Sequence, residues 1–203
     1  MLMAELSPHA FRPPRIHGLA WIATWSDSDA LDEFLAGENA EQVCVGWWAR
    51  LSPVRTAGTW SAYPDLPDRE LPAGEGPVAA LTLGRLKPTR IPAFLRTSAR
   101  AEADALTAPG LTFAAALAGP QRTVATFSLW QDRTSMRAYV ERNGHHNAMR
   151  NQAARPFHTE SAFIRYQILD QHGQLPTKLT RHTDPQALVP VPAPVTGRAR
   201  AVA

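Results

Sequence analysis

The chain is short of cysteine, of long apolar runs and of recognisable catalytic signatures, and each shortage excludes something. Cys44 is the one cysteine in 203 residues, so no internal disulfide can form, and its Val-Cys-Val setting predicts a buried, inert thiol in a reducing compartment. No uninterrupted apolar stretch approaches the roughly 18 residues that a spanning helix needs, and the N-terminus lacks a charged segment followed by an apolar one. The expected location is cytoplasmic, with no transmembrane segment and at most a peripheral membrane contact. A glycine-rich phosphate loop, a G-x-S-x-G elbow, a paired-cysteine metal motif and a spaced carboxylate pair are all missing, which disfavours nucleotide and nucleophilic chemistry. Concentrated positive charge is missing too. The formal charge is +3 from 21 basic and 18 acidic residues, and the stretch from Gln171 onward, with Lys178, Arg181, Arg198 and Arg200 against Asp184, accounts for all of it. A neutral body lacks the basic face that phosphate backbones require, so no nucleic-acid partner is expected.

What is present suffices for a core. Hydrophobic residues make up 44% and charged residues 19%, enough for one ordinary domain or two small units sharing a core. The 18 prolines exceed the usual share of about 5% and place something proline-rich outside it. Residues 1 to 15 read as a leader, and Gly18 to Trp25 as a strand. Asp27 then precedes a helical pattern of Ala30, Leu31, Phe34 and Leu35 that Gly37 can end. Val43 to Leu51 is a second strand, Ala57 to Tyr63 an edge strand, and Pro64 to Pro77 a connector. Beyond it, Val78 to Lys87 is a strand, Thr89 caps a helix with Pro92 in its first turn, and Leu111 to Leu117 and Arg122 to Trp130 are strands. Asp132 caps a helix with Met136, Tyr139 and Val140 on one face, a helical segment runs from His145 to about Arg155, and Ser161 to Leu169 closes the unit. The order β-α-β-β-α-β is the ferredoxin-like split unit, an α+β fold.

Internal similarity sharpens this reading. Trp25-Ser26-Asp27 through Phe34 aligns with Trp130-Gln131-Asp132 through Tyr139 at a constant offset of 105, each copy following a strand. The division expected is a truncated ferredoxin-like half-repeat over 1–63, a connector over 64–77, a complete unit over 78–170 and a disordered, proline-rich tail over 171–203. A truncated copy leaves a sheet edge open, so a homo-oligomer of the dimeric α+β barrel type is the expected assembly.

Strand alternation sorts candidate site residues. If the more apolar faces take the helices, Thr82, Gly84, Thr126, Ser128, Trp130, Arg165 and Gln167 share the opposite, half-polar face, either a cavity lining or an ordinary half-solvated sheet face. His145, with Ala148, Met149 and Gln152 on its helical face, has the setting of an axial haem position more than of a zinc site, although the spacing alone favours solvent-facing histidines at a helix start.

At this point the residues carry a likeness. Leu81-Thr82, Leu86-Lys87-Pro88, Arg90 and Phe94, the run from Ala125 to Tyr139, His145, Ala148-Met149-Arg150, Phe157, Glu160 and Arg165-Tyr166 resemble the C-terminal half of the spheroidene monooxygenase family, haem-containing oxygenases of acyclic carotenoids on a ferredoxin-like, dimeric α+β barrel. The resemblance implies haem b, with His145 as iron ligand, and a monooxygenase acting on an apolar small molecule. Set beside the strand and helix faces, that reading makes Met149 and Arg165 candidates to contact the cofactor, Arg165, Thr126 and Ser128 candidates to assist catalysis, and Thr82, Gly84, Trp130 and Gln167 candidates to line the substrate. Two alternatives stand beside it: a cofactor-free monooxygenase of the antibiotic-biosynthesis type, and a non-catalytic protein that binds a hydrophobic ligand or haem.

Overall fold

The computed structural model describes residues 2–5, 19–63, 65–67, 70, 75–94, 105, 107–141 and 157–175. Seven strands, β1 (Leu2–Glu5), β2 (Leu19–Trp21), β3 (Trp48–Thr59), β4 (Val78–Leu86), β5 (Leu111–Gly119), β6 (Thr123–Trp130) and β7 (His158–His172), form one sheet in the order β2-β1-β5-β6-β4-β7-β3. Every neighbouring pair is antiparallel. The central order β5-β6-β4-β7 is that of the ferredoxin-like unit, so the α+β fold expected from the sequence is the fold observed. Among the described residues the helices are α1 (Ser28–Ala36), α2 (Glu38–Val43) and α3 (Arg133–Glu141), and Ile91–Phe94 is helical after the 3-10 turn Pro88–Arg90. Among the described residues no helix is long and apolar enough to cross a membrane.

Two of the three expected caps form where the sequence places them, whereas Thr89 lies inside the 3-10 turn Pro88–Arg90, which Lys87 precedes without a side-chain capping bond. Asp27 accepts the Ala30 N–H at 2.8 Å, Asp132 accepts the Ser135 N–H at 2.7 Å, and each bond satisfies a helix-start donor that would otherwise lack a partner. The same offset carries an aromatic pair, Trp25 on Phe34 with ring centroids 5.3 Å apart and Trp130 on Tyr139 at 5.2 Å. In each Trp-x-Asp motif the aspartate caps a helix and the indole packs at a tilt against an aromatic of that helix, although Trp130 ends β6 whereas Trp25 lies beyond the end of β2.

Strand β4 lies between β6 and β7 and is buried on both faces over nearly its whole length, the usual pattern for a central strand. One face carries Ala79, Leu81, Leu83, Ala115, Leu117, Ala125, Leu129, Ala162, Ile164 and Tyr166, closed over by Trp60 and flanked by Trp47, Leu51, Ala20 and Ile22. Trp47, just before β3, has its ring 5.9 Å from that of Phe127 on β6. Trp47 thus reaches over this apolar face toward β6, across the width of β7 and β4. The opposite face, with Val78, Ala80 and Trp130, receives Met136 of α3, with Tyr139 and Phe163 packed alongside.

Several sequence expectations change here. Leu2–Glu5, read as leader, is a strand paired with both β2 and β5. Val43 ends α2 instead of opening a strand, and the two strands expected over Val43 to Leu51 and Ala57 to Tyr63 are one, β3, which runs through Pro53. Proline is tolerated because β3 is an edge strand paired only with β7, with register shifts at Arg50/Leu51 and Pro53/Arg55, where a missing N–H costs no ladder bond. Cys44, expected to be buried between two valines, is only half-buried, and both valines are exposed. Within the stretch read as a connector, Leu66 packs on the core and the Pro67 carbonyl accepts the Thr56 N–H at 2.7 Å.

Candidate functional site

The half-polar strand face is the one that α3 covers, which inverts the expected arrangement. Val78, Ala80, Thr82 and Gly84 of β4 share it with Val124, Thr126, Ser128 and Trp130 of β6 and with Ser161, Phe163, Arg165 and Gln167 of β7, as the registers Ala80↔Ser128, Ala80↔Arg165 and Thr82↔Phe163 require. Alternation correctly separates the two faces but does not say which one the helices take. The strongly apolar face is covered by Trp60 and flanked by Trp47, Leu51, Ala20 and Ile22, and α3, which buries only Met136, needs no more apolar surface than Val78, Ala80, Trp130 and Phe163 provide.

Between α3 and the β3–β7 margin of this face lies a cleft of about 430 Å³, lined by Arg55, Ala57, Glu70, Arg133, Met136, Arg137, Val140, Glu141, Phe163 and Arg165. The side chain of Arg165, on β7 opposite Arg55 of β3 and Ala80 of β4, is only 7% exposed. Its Nη2 approaches Glu70 Oε1 to 2.6 Å, ion-pair distance, yet at an angle that leaves this nitrogen without a hydrogen-bond partner among the described residues. Glu70 Oε1 also pairs with Arg133 Nη2, and its Oε2 lies 3.6 Å from Arg55 Nη1. Arg137 pairs with Glu141 one helical turn on, at 3.4 Å. Burial, and then the Arg55 and Arg137 guanidiniums, hold Arg165 below the ordinary arginine value; for Arg133 burial again leads, followed by Arg165, Arg137 and Arg55. Arginine stays protonated throughout the working range, so these shifts register mutual repulsion in a partly dry site.

Of the residues singled out from the sequence, Arg165 is the one that lines this cleft. Ser128 accepts the Trp130 indole N–H at 3.0 Å, and Trp130 itself is buried against Met136 and Tyr139, so this pair packs the helix. Thr82 and Thr126 are exposed cross-strand partners, and Gln167 is half-buried opposite Val78. At Gly84 a Cβ would meet the His158 ring at 2.5 Å. His158 is half-buried beside Phe94 and Phe157, and burial holds its imidazole below the ordinary value. His145 and Met149 lie outside the described residues. Sequence reasoning missed Arg55, Glu70, Arg133 and Arg137. Arg133, Arg137 and Glu141 at four-residue spacing were a usable signal for one charged helix face; Glu70, inside a Pro- and Gly-rich connector, gave none.

Beside this geometry stands one curated relative. The chain is similar to a monooxygenase. Spheroidene monooxygenase of Rubrivivax gelatinosus is 29% identical over 136 residues, which cover 66% of this chain and 51% of that protein. The chain thus spans about half the length of the relative that it matches. No family model matches. Among solved structures, a candidate monooxygenase from Fusobacterium nucleatum superposes with a TM-score of 0.47 at 10% identity, covering 74% of this chain and 69% of that one. A candidate antibiotic-biosynthesis monooxygenase from Nitrosomonas europaea does so with a TM-score of 0.40 at 13% identity, covering 52% and 96%. Neither likeness carries a residue role to this chain.

Proposed function

We propose that the protein is an oxidoreductase of the monooxygenase type, acting on a small molecule with a substantial apolar body held in the cleft between α3 and the β3–β7 margin. The observation that carries this reading is the 136-residue similarity to a named monooxygenase. The cleft supplies an apolar wall of Ala57, Met136, Val140 and Phe163 for the substrate body, and the buried Arg165 at its floor. A fixed cation in a site of reduced polarity stabilises negative charge as it develops on oxygen, and does so without reorganising during the reaction. In such a reaction one atom of dioxygen enters the substrate and the other leaves as water. The electrons come from an external reductant or, in the cofactor-free version, from an electron-rich substrate whose CH₂ becomes C=O.

Haem b belongs to the resemblance, which would place its iron on His145 with Met149 nearby. The fit of the described residues to it is partial: Arg55, Arg133 and Arg165 suit the propionates of a porphyrin, whereas the axial ligand would come from outside these residues. The family's acyclic carotenoid stands as one example of an apolar substrate.

Hemin titration of the purified protein checks the cofactor: a Soret band lost in His145→Ala and kept in His146→Ala supports the haem-dependent version. Substrate-dependent oxygen uptake without hemin supports the cofactor-free one. Absence of both, with binding of an apolar ligand retained, leaves a non-catalytic binding protein and removes the enzymatic reading.

A further inference from the structure

The charge of the cleft does not suit a purely apolar substrate. Four guanidiniums, those of Arg55, Arg133, Arg137 and Arg165, line it against the two carboxylates of Glu70 and Glu141. Glu141 is taken up by Arg137 on its own helix. Glu70 is left to be divided among the other three, with Oε1 serving both Arg133 and Arg165 and Oε2 set off from Arg55 by 3.6 Å. Each guanidinium is a planar fork of donors whose full complement is a bidentate carboxylate, so one shared carboxylate leaves the set under-filled.

Arg165 carries the argument furthest. Its backbone is fixed in β7 with β3 on one side and β4 on the other, its side chain is more than nine-tenths buried, and its Nη2 faces Glu70 without making a hydrogen bond. A buried guanidinium nitrogen that has a counter-charge at contact distance but no aligned acceptor is only partly satisfied, and a ligand carboxylate with the right alignment would complete it. The apolar wall of Ala57, Met136, Val140 and Phe163 adjoins these cations, and a volume of about 430 Å³ falls within the roughly 300–1,000 Å³ typical of small-molecule sites.

We propose that this cleft recognises the carboxylate of an apolar acid, and that Glu70 is an internal carboxylate which the ligand displaces from Arg165. The ligand's apolar body lies against Met136, Val140 and Phe163, and its carboxylate bridges Arg165 with Arg55 or Arg133. The Glu70 carboxylate, whose side chain is one-third exposed, gives up Arg165 to the ligand and turns to solvent. The proposal rests on the reading that places the substrate here, and it narrows that substrate's class.

The test is anaerobic calorimetric titration with 2-naphthoate and its neutral isostere 2-naphthamide, on the wild type, Glu70→Gln and Arg165→Gln. The wild type binds the acid about ten-fold more tightly than the amide, as expected of charge-assisted bonds to arginine. Glu70→Gln, which removes the internal competitor, tightens the acid by about ten-fold and leaves the amide unchanged, and Arg165→Gln weakens the acid by a similar factor. Should Arg165→Gln lose its far-ultraviolet circular dichroism, Arg55→Gln, at a half-exposed position, takes its place. Equal affinity for acid and amide, or acid affinity unmoved by Glu70→Gln, overturns the proposal, as does inorganic phosphate competing as well as naphthoate. Because this titration measures no turnover, acid-selective binding by a protein that shows neither the hemin Soret band nor oxygen uptake would remove the enzymatic reading and keep this site. Oxygen uptake on a neutral substrate without acid selectivity would do the reverse.

Discussion

Removing the Glu70 carboxylate sets a buried cation against an exposed one within a single cluster. The side chain of Arg165 is 7% exposed, that of Glu70 33% and that of Arg55 55%. Breaking a fully buried ion pair costs about 3–5 kcal/mol, whereas an exposed pair is worth about 0–1 kcal/mol. Glu70 reaches solvent on one side, so the cost of Glu70→Gln should lie between these limits, at about 2 kcal/mol. The double-mutant cycle with Arg165→Met should return a coupling of about 1–2 kcal/mol, and the cycle with Arg55→Ala less than about 0.5 kcal/mol. Urea unfolding followed by tryptophan fluorescence measures both couplings. Raising the salt to about 0.5 M should erase the coupling to Arg55 and leave most of that to Arg165, because screening acts chiefly on exposed charge. A coupling to Arg55 as large as that to Arg165, or loss of both in salt, would show that Arg165 is solvated and that the cleft is an ordinary charged surface.

Ile164, fully buried on the apolar face of β7, should lose about 2–5 kcal/mol on truncation to alanine, while exposed Thr82→Ala stays within about 0.5 kcal/mol. Thermal unfolding of the two variants compares them, and similar losses would mean that the apolar face is not the core. His158 should make stability depend on pH. Its folded-state pKa lies below the reference value of 6.5 because of burial, so the unfolded chain takes up this proton first. Its contribution is present in full above about pH 7 and declines as the pH falls through the reference value toward the lower folded-state one. His158→Phe should flatten that slope in the melting temperature, and an unchanged slope would place the proton elsewhere. Gly84→Ala, whose Cβ would meet the His158 ring, should lower the melting temperature in wild type and less so once His158 is replaced by alanine; equal losses would locate the clash elsewhere.

Much of the central unit could be read without coordinates because its signals are local. Trp130-Gln131-Asp132 announces a strand end and a helix cap within three residues, and Trp25-Ser26-Asp27 repeats the cap; a capping bond depends only on neighbours along the chain. Strand β4, β-branched and leucine-rich before Pro88, also declares itself. By contrast, β3 was hidden by Pro53, since whether a proline breaks a strand depends on whether its other edge is paired, a property of the sheet. Leu2–Glu5 was hidden by its brevity and gains stability only between β2 and β5.

The candidate site divides along the same line. Sequence by itself determined which side chains of β4, β6 and β7 fall on a common face, and that Arg165 belongs to the more polar one, because a period of two admits no other arrangement. Only the tertiary structure decided that α3 covers that face and that Trp60 and Trp47 pack over the apolar one. Folding also brought Arg55, Glu70, Arg133 and Arg165, scattered over more than a hundred positions of the chain, around one cleft. The reason is physical: alternation is a local consequence of backbone geometry, whereas the choice of covered face and the meeting of distant charges depend on how apolar area is buried by the whole chain at once.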